Sequence, residues 1–295
     1  MLTGFKTYLT GKRYSKSTIA IYTSFVKLFL KFLADKQLPE VNNCDVVRFI
    51  EVVVIERSYA ISTHRQVVSA LKLFAIYSQA CNISAPELHR PHRSKLLPTV
   101  LSQEEVIDVL RCTKNIKHRA ILALLYSSGL RIGEMLQLEL RYINIDRRQI
   151  FIKQAKGRKD RYVMLSEGFL PLFYNYLHTY KPQRFFVEGP GGKPYSASSV
   201  RKFLGKICRE AKIRKRVTPH TLRHSYATHL SENGIGLRHI QELLGHSRPE
   251  TTMIYTHVSK KDLLDIQSPL DTILTSIAKN NKEEQNILLS RNLIR

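Results

Sequence analysis

One stretch in the last third of this 295-residue chain decides how it is interpreted: Pro219-His220-Thr221-Leu222-Arg223-His224. Pro219 fits the first turn of a helix, where the N–H that proline lacks is not needed. His220 and Arg223 are three residues apart, so they share one face of that helix. Backbone N–H groups at a helix start also favour an anion. The stretch therefore predicts a helix whose first turns handle a phosphate.

Residues of the same chemical character lie on either side of this stretch. They occur in Leu244-Gly245-His246, in Tyr255-Thr256-His257 and, upstream, in Gly129-Leu130-Arg131-Ile132-Gly133-Glu134. Arginine stays charged and binds oxyanions with a planar fork, so Arg131 and Arg223 are predicted to hold one phosphate. His246 follows a glycine at the end of a helical run, and we expect it to be exposed and to point into a cleft.

Tyr255 is the candidate nucleophile. A tyrosine attacks poorly at its free pKa of about 10, and flanking cations with a hydrogen-bonding base would activate it. The phosphotyrosine formed conserves the bond energy, so the strand can be resealed without ATP. Arginines, histidines and this hydroxyl together indicate metal-free cleavage and rejoining of a DNA strand.

Lys156 lies in a basic turn between two predicted strands, Ala155-Lys156-Gly157-Arg158-Lys159-Asp160. A lysine at a hairpin tip can reach a minor groove and protonate a departing 5′ oxygen. Taken alone, the composition of this stretch is typical of a solvated basic turn.

The sequence predicts no metal and no other cofactor. His220, His224 and His229 are spaced like metal ligands, but no zincin glutamate lies between them. Arg223 would also repel a cation. The four cysteines are scattered and form no Cys-x-x-Cys pair, which argues against structural zinc and fits a reducing cytosol.

The charge of the chain points to a polyanionic partner. Lys and Arg number 47 against 24 Asp and Glu, a net charge of +23. Nucleic acid is the first candidate, and a basic but unspecialised protein is the alternative. Basic residues are in excess both before and after residue 95, so two parts of the chain are expected to contact DNA. Without a signal peptide or a bilayer-length apolar run, we expect a soluble cytoplasmic protein with no membrane partner.

Residues 1–83 are predicted to form a small helical bundle. Apolar residues recur at helical spacing over about 15–35, where Ser15 or Ser17 can cap the helix. A second helix is predicted after Asn43, although its β-branched residues leave a strand open. A third is predicted after Ser62, and the aromatic residues of these helices are expected in the core. Three prolines among basic residues over 84–100 predict an extended linker.

A second, mostly helical domain is predicted from residue 101. Ser102 and Glu105 form a capping box, and helices are expected at 103–112 and 117–128, the latter stopping at Gly129. Three strands are predicted at Ile143–Ile145, Ile150–Lys153 and Arg161–Leu165. Further helices are expected at 169–179 and between 197 and 257. The predicted fold class is mainly α, with one small antiparallel sheet in the second domain.

At these residues the chain resembles the tyrosine recombinase (phage integrase) superfamily, in particular its compact Xer-like and integron-type members. The resemblance covers roughly residues 5–260 and rests on the order His-x-x-Arg-His, Leu-Gly-His, Tyr-Thr-His. It implies a site-specific recombinase that cleaves and rejoins DNA through a 3′-phosphotyrosine, with Tyr255 as the nucleophile.

The resemblance also implies a role for each matched position. The residues implied as catalytic are Arg131, Lys156, His220, Arg223, His246 and Tyr255, and those implied as supporting are Glu134 and His224. Arg131 and Arg223 would grip the phosphate and His246 would hydrogen-bond it. Lys156 would be the general acid for the 5′ oxygen, and His220 would aid proton transfer.

By the same resemblance, residues 1–83 are a SAM-like core-binding domain and residues 101–267 are the catalytic domain. The two would close around duplex DNA through the basic linker. The chain begins almost at the bundle, so we expect no extra arm-binding domain and a simple site of paired inverted half-sites. Four protomers, monomeric or weakly dimeric when free, would exchange strands through a four-way junction. In the tail, 268–295, residues 268–280 are either a helix docking on a neighbour or a frayed charged segment.

Two other functions remain as alternatives. One is a non-catalytic DNA-binding protein that keeps the fold, which the complete set of catalytic residue types disfavours. The other is a type IB topoisomerase, which the compact helical N-terminal domain disfavours. The sequence leaves open whether recombination serves integration of a mobile element, excision, inversion or dimer resolution.

Overall fold

The computed structural model describes residues 1–34, 36–92, 97–153, 160–246 and 249–255. The chain packs as two compact units that divide after residue 96. Both are built mainly from helices, and the second also contains a small sheet, so the predicted fold class is confirmed. Within these ranges no helix is both long and apolar enough for a membrane span.

Among its described residues, the first unit is formed by four α-helices. They are α1 (Leu2–Gly11), α2 (Lys16–Leu33), α3 (Asn43–Phe49) and α4 (Ile61–Ser78), with a 3₁₀ turn at Leu38–Glu40 and a π-helical segment at Ile50–Ile55 that continues α3. Their apolar faces meet in one core, in which Phe29 and Phe74 are fully buried. The aromatic residues predicted for the core of the bundle are therefore found there.

Local signals explain where two of these helices begin. Ser15, one of the two predicted caps, accepts a hydrogen bond from Thr18 N at 3.2 Å at the start of α2. Asn42 and Asp45 form a capping box that starts α3. The alternative of a strand in this region is wrong, because the chain stays helical to Ile55 and buries the residues that share one helix face.

Two features of the first unit differ from the prediction. Helix α1 was not expected, since only Phe5 and Leu9 of its ten residues are buried and so short a pattern is a weak signal. Helix α4 begins at Ile61, slightly before the predicted start after Ser62, and Ala60 at its N-cap makes no side-chain hydrogen bond. The core contacts of α4, rather than a cap, therefore fix its first turn.

The second unit contains eight α-helices and three strands within the described ranges. They are α5 (Gln103–Cys112), α6 (Ile116–Ser128), α7 (Ile132–Leu136), β1 (Ile143–Asn144), β2 (Gln149–Ile152), β3 (Arg161–Met164), α8 (Leu170–Tyr180), α9 (Ala197–Glu210), α10 (Pro219–Glu232), α11 (Leu237–Leu244) and α12 (Glu250–Met253). The strands form the predicted small antiparallel sheet, and their order in it is β1-β2-β3.

Helix α6 is the central element of this unit and positions the site. Six consecutive residues, 120–125, are buried, so neighbours surround the helix on every side. It ends at Gly129, which adopts a left-handed φ of 59°. A β-carbon there would lie 2.4 Å from the ring of Tyr226 on α10, so only glycine allows the close approach of the two segments. The predicted capping box of Ser102 and Glu105 is present at the start of α5.

Candidate active site

The predicted site residues that the structure describes all lie in the second unit, near the ends of short helices. They are Arg131 at the N-cap of α7, His220, Arg223 and His224 on α10, His246 just after α11, and Tyr255 just after α12. Glu134, the predicted supporting residue, is on α7. Two sets of hydrogen bonds organise these residues, one around the C-terminal end of α11 and one around Tyr255.

Arg223 lies at the centre of the first set and is only 3% exposed. Its Nη1 donates to Gly129 O at 2.6 Å, and its Nη2 donates to Leu244 O at 2.6 Å. Nη2 also donates to His246 Nε2 at 3.1 Å. Burial, and then the nearby charge of Arg131, lower the pKa of Arg223 to about 10, so it remains a cation at neutral pH.

Arg131 and Glu134 form a short ion pair within α7. The backbone N–H of Arg131 donates to Glu134 Oε2 at 2.9 Å, and its Nη1 donates to Oε1 at 2.7 Å. Its Nη2 donates to Gly245 O at 3.1 Å. Burial favours protonation of Glu134, but hydrogen bonds from Arg161 and Arg131 outweigh it and lower its pKa to about 2. Glu134 is therefore a carboxylate at neutral pH.

The two arginines keep donor capacity for a ligand. A guanidinium has five N–H groups in a fixed fork. Hydrogen bonds to described residues use three of them in Arg223 and two in Arg131. The side chain of Arg131 is also 20% exposed. Guanidinium N–H groups of this kind can bind the oxygens of a phosphate.

His246 is half-buried, so the expectation that it is exposed is wrong. Its ring lies between Arg223 and Thr252, whose Oγ1 is 2.9 Å from Nδ1. Because Nε2 accepts from Arg223, we assign the ring proton to Nδ1, which donates to Thr252. Burial and the charges of Arg223 and Arg131 lower the pKa of His246 to about 4. The neutral ring thereby accepts a hydrogen bond from one N–H of the Arg223 guanidinium.

Tyr255 and His224 form the second set. Tyr255 is 1% exposed, and its Oη lies 3.0 Å from His224 Nδ1. Burial raises the pKa of Tyr255 even though Arg223 and Arg131 act to lower it. Burial and neighbouring cationic groups lower the pKa of His224 to about 4. A protonated phenol therefore faces a neutral imidazole, which can accept a hydrogen bond from it, although the lowered pKa makes this ring a weaker base than a free histidine.

His220 is exposed on the first turn of α10, where Thr218 caps the helix and Pro219 follows at its first position. With Arg131, it lines a cleft of about 710 Å³ that extends to Phe151 and Lys153 at the end of β2. The predicted phosphate-handling start of α10 thus opens on a cleft large enough for part of a polymer.

Two predictions fall outside the described residues. Lys156 belongs to the segment between β2, which ends at Ile152, and β3, which begins at Arg161. Residues 268–280, expected to be either a docking helix or a frayed charged segment, lie beyond Tyr255. Both stay predictions from the sequence.

Arg161 is the buried charged residue that the sequence reasoning missed. It is 8% exposed, and its Nη1 and Nη2 donate to the two oxygens of Glu134 at 3.0 and 2.8 Å. Its Nε donates to Leu243 O at 2.9 Å. The sequence signal that could have identified Arg161 is its position on β3, where it lies on the same inward face as buried Val163. An unpaired charge on that face would be costly, so a partner is expected.

Within the described ranges, no group of three or more His, Cys, Asp or Glu side chains is arranged to hold a metal ion. His229, one of the three spaced histidines, places its Nδ1 2.9 Å from the hydroxyl of Tyr126. That contact accounts for its burial on α10.

Comparison with known proteins identifies the class to which this fold and site belong. Residues 99–262 match the model of the phage integrase family, and residues 1–84 match that of the phage integrase N-terminal SAM-like domain. The chain belongs to the phage integrase family, the tyrosine recombinases.

Two relatives and one solved structure show which members of this family the chain is similar to. The chain is 38% identical to the tyrosine recombinase XerA of Pyrococcus furiosus over 270 residues, covering 89% of this chain and 91% of XerA. It is 32% identical to an integrase/recombinase of Escherichia coli, covering 88% and 90% of the two chains. The crystal structure of XerH site-specific recombinase in a post-cleavage complex with palindromic difH substrate superimposes with a TM-score of 0.70, at 25% identity, covering 84% of this chain and 78% of XerH.

Proposed function

We propose that this protein is a site-specific DNA recombinase that cleaves and rejoins strands through Tyr255, without a metal ion or ATP. In the forward step, Tyr255 Oη bonds to the scissile phosphorus and the bond from phosphorus to the 5′ oxygen breaks. The phenolic proton passes to a base, and the 5′ oxygen takes up a proton. Attack by a 5′ hydroxyl on the 3′-phosphotyrosine reverses both changes and releases the tyrosine.

The observation that carries this proposal is the arginine pair at the end of α11. Arg131 and Arg223 donate to the consecutive carbonyls of Gly245 and Leu244, so one helix end orients both guanidiniums. Their remaining N–H groups can stabilise the charge that builds on the non-bridging oxygens in the transition state. Fixed guanidinium charge supplies what a metal ion would otherwise supply.

Each further residue has a proposed part. His246 accepts a hydrogen bond from Arg223 and so orients its guanidinium. The phosphate contact that the family motif assigns to His246 would replace this hydrogen bond and needs the ring proton on Nε2. His224, hydrogen-bonded to Tyr255, is the group best placed to receive the phenolic proton in the described arrangement, and exposed His220 contacts the substrate from the cleft. Lys156 is assigned as proton donor to the 5′ oxygen from its position in the family motif alone.

The proposed substrate is duplex DNA with paired inverted half-sites, on which four protomers assemble and exchange strands through a four-way junction. The net charge of +23 supports a nucleic acid partner. XerH, which is bound to a palindromic DNA after cleavage, supports the inverted half-sites. Whether exchange leads to integration, excision, inversion or dimer resolution depends on how two sites are arranged.

The proposal is tested with a pool of randomised duplexes that carry one nick. Cleavage near the nick releases a short fragment, so the protein stays attached to the DNA and can be isolated under denaturing conditions. We expect adducts in EDTA from the wild-type protein and none from Tyr255→Phe, and sequencing the trapped DNA gives the site. Adducts from Tyr255→Phe would contradict the assignment, and binding without adducts would favour a non-catalytic protein. Adducts on unrelated sequences would favour a topoisomerase.

A further inference from the structure

Three arginines converge on three consecutive carbonyls at the end of α11. Arg161 donates to Leu243 O, while Arg223 and Arg131 donate to the next two carbonyls in the chain. Carbonyls in the last turn of a helix lack partners within the helix, and the helix dipole favours cations there. This helix end therefore fixes the positions of three guanidiniums relative to one another.

Arg161 differs from the other two arginines in where its fork points. Its Nη1 and Nη2 bind the two oxygens of Glu134, the carboxylate that also binds Arg131. The side chains of Arg161 and Glu134 are both more than nine-tenths buried. The fork of Arg161 is thus directed at a carboxylate, and both of its Nη atoms are engaged in holding Glu134.

We propose that Arg161 is a positioning residue for phosphate cleavage, which acts by fixing Glu134 and, through it, the guanidinium of Arg131. This inference rests on the proposed function, in which Arg131 binds the scissile phosphate. It adds a role for Arg161, a residue of β3. With the bidentate contact in place, Glu134 has one orientation, and Arg131 is held between that carboxylate and Gly245 O.

Gly245 gives independent support, because its backbone leaves the space that Arg161 occupies. It has a φ of 62°, and a β-carbon there would lie 2.9 Å from Arg161 Cδ and 3.1 Å from Arg161 Nε. Gly245 is therefore required for two reasons. It allows the left-handed backbone that ends α11, and it leaves room for the side chain of Arg161.

The test compares Arg161→Met and Arg161→Lys in single-turnover cleavage of a nicked duplex recovered from the adduct selection. We expect Arg161→Met to cleave about 100-fold more slowly, because small displacements of a catalytic group cost rates of this order. Arg161→Lys keeps the charge without the fork, and we expect a loss of about tenfold. DNA affinity should stay within about threefold, since many other cations bind the backbone. Arg148→Met, which removes the exposed pair with Glu167 beside the same sheet, is the matched control and should cleave normally.

A second substrate separates positioning from general structural damage. In a methylphosphonate at the scissile position, one non-bridging oxygen is replaced by a methyl group, so the charge that Arg131 stabilises is gone. If Arg161 acts through Arg131, the deficit of Arg161→Met on this substrate should shrink to less than about threefold. Should Arg161→Met not fold, the same comparison is made with Arg161→Lys.

Either of two results would overturn the positioning role. One is normal cleavage of the phosphate substrate by the Arg161 variants. The other is the same fold-loss on both substrates, which would mean that Arg161 only maintains the fold. Slow adduct formation through Tyr255 in the variants would leave the proposed function intact, whereas a wild-type protein without adducts would overturn that function itself.

Discussion

Burial shifts the pKa of Tyr255 in the direction opposite to the one that its cationic neighbours favour. The sequence predicts a phenol activated by flanking cations, and the structure does place it within the influence of Arg223 and Arg131. Burial has the larger effect and raises its pKa, so the phenol is protonated at rest. Activation therefore depends on a partner that removes the proton, and His224 is hydrogen-bonded to it.

At the same scale, two half-buried histidines of the site make stability depend on pH. Burial lowers the pKa of His224 and His246 from 6.5 to about 4, so between these values the unfolded chain binds more protons than the folded one. Their contribution is complete above pH 6.5 and is lost as the pH falls toward 4. We expect a loss on the order of 2 kcal/mol for the pair, allowing for partial exposure.

Unfolding free energies measured between pH 7 and pH 4.5 check this expectation. The double variant His224→Gln, His246→Gln should show a visibly shallower decline than the wild-type protein. His239→Gln, a substitution of an exposed histidine on α11, serves as the control and should follow the wild-type curve. Parallel curves for the double variant and the wild type would count against the lowered pKa values.

Among the elements, most helices and all three strands of the described chain follow from local signals. Ser15, Ser102 and Gly129 begin or end helices where the sequence predicts. The pairing of Arg161 with Glu134 does not follow, because the two residues are 27 positions apart and only the fold brings them together. The burial of His246 depends in the same way on Thr252, which packs on it from α12.

The cap of α11 gives a prediction at the scale of the element. Gly245→Ala introduces a side chain at a left-handed φ and against Arg161, so we expect it to destabilise the fold by about 1–2 kcal/mol. Gly205→Ala is the control, since Gly205 lies inside α9 with open space around its β-carbon position. It should be neutral or stabilising by up to about 1 kcal/mol. Equal effects of the two substitutions in urea denaturation would contradict the account of the cap.

For the whole molecule, composition predicts the class of partner better than it predicts the site. The excess of basic residues extends over both units, whereas the site itself depends on a few buried groups. Charge at the surface acts over long distances and needs no fixed geometry, so binding to a polyanion can be predicted from the numbers of basic and acidic residues. The hydrogen bonds of Arg223 to carbonyls of two separate segments cannot be predicted from composition, because they depend on the fold.

DNA binding should therefore depend steeply on salt. With roughly 6–10 phosphate contacts, affinity for a duplex falls by about 10³–10⁵ between 50 and 200 mM salt. Tyr255→Phe should follow the same slope as the wild-type protein, because the phenol carries no positive charge and so releases no counterion from the DNA. A nearly flat dependence, measured by fluorescence anisotropy, would mean that the positive charge does not serve DNA binding.

The central claim is that Tyr255 forms a covalent bond to a DNA 3′ phosphate without a metal ion. The most direct measurement is mass spectrometry of the adduct trapped in EDTA, after digestion with a protease and a nuclease. The account predicts a peptide that contains Tyr255 linked to a 3′ phosphate, with a free 5′ hydroxyl on the released fragment. A linkage through another residue, a linkage to a 5′ phosphate, or an adduct that requires a divalent metal would contradict it.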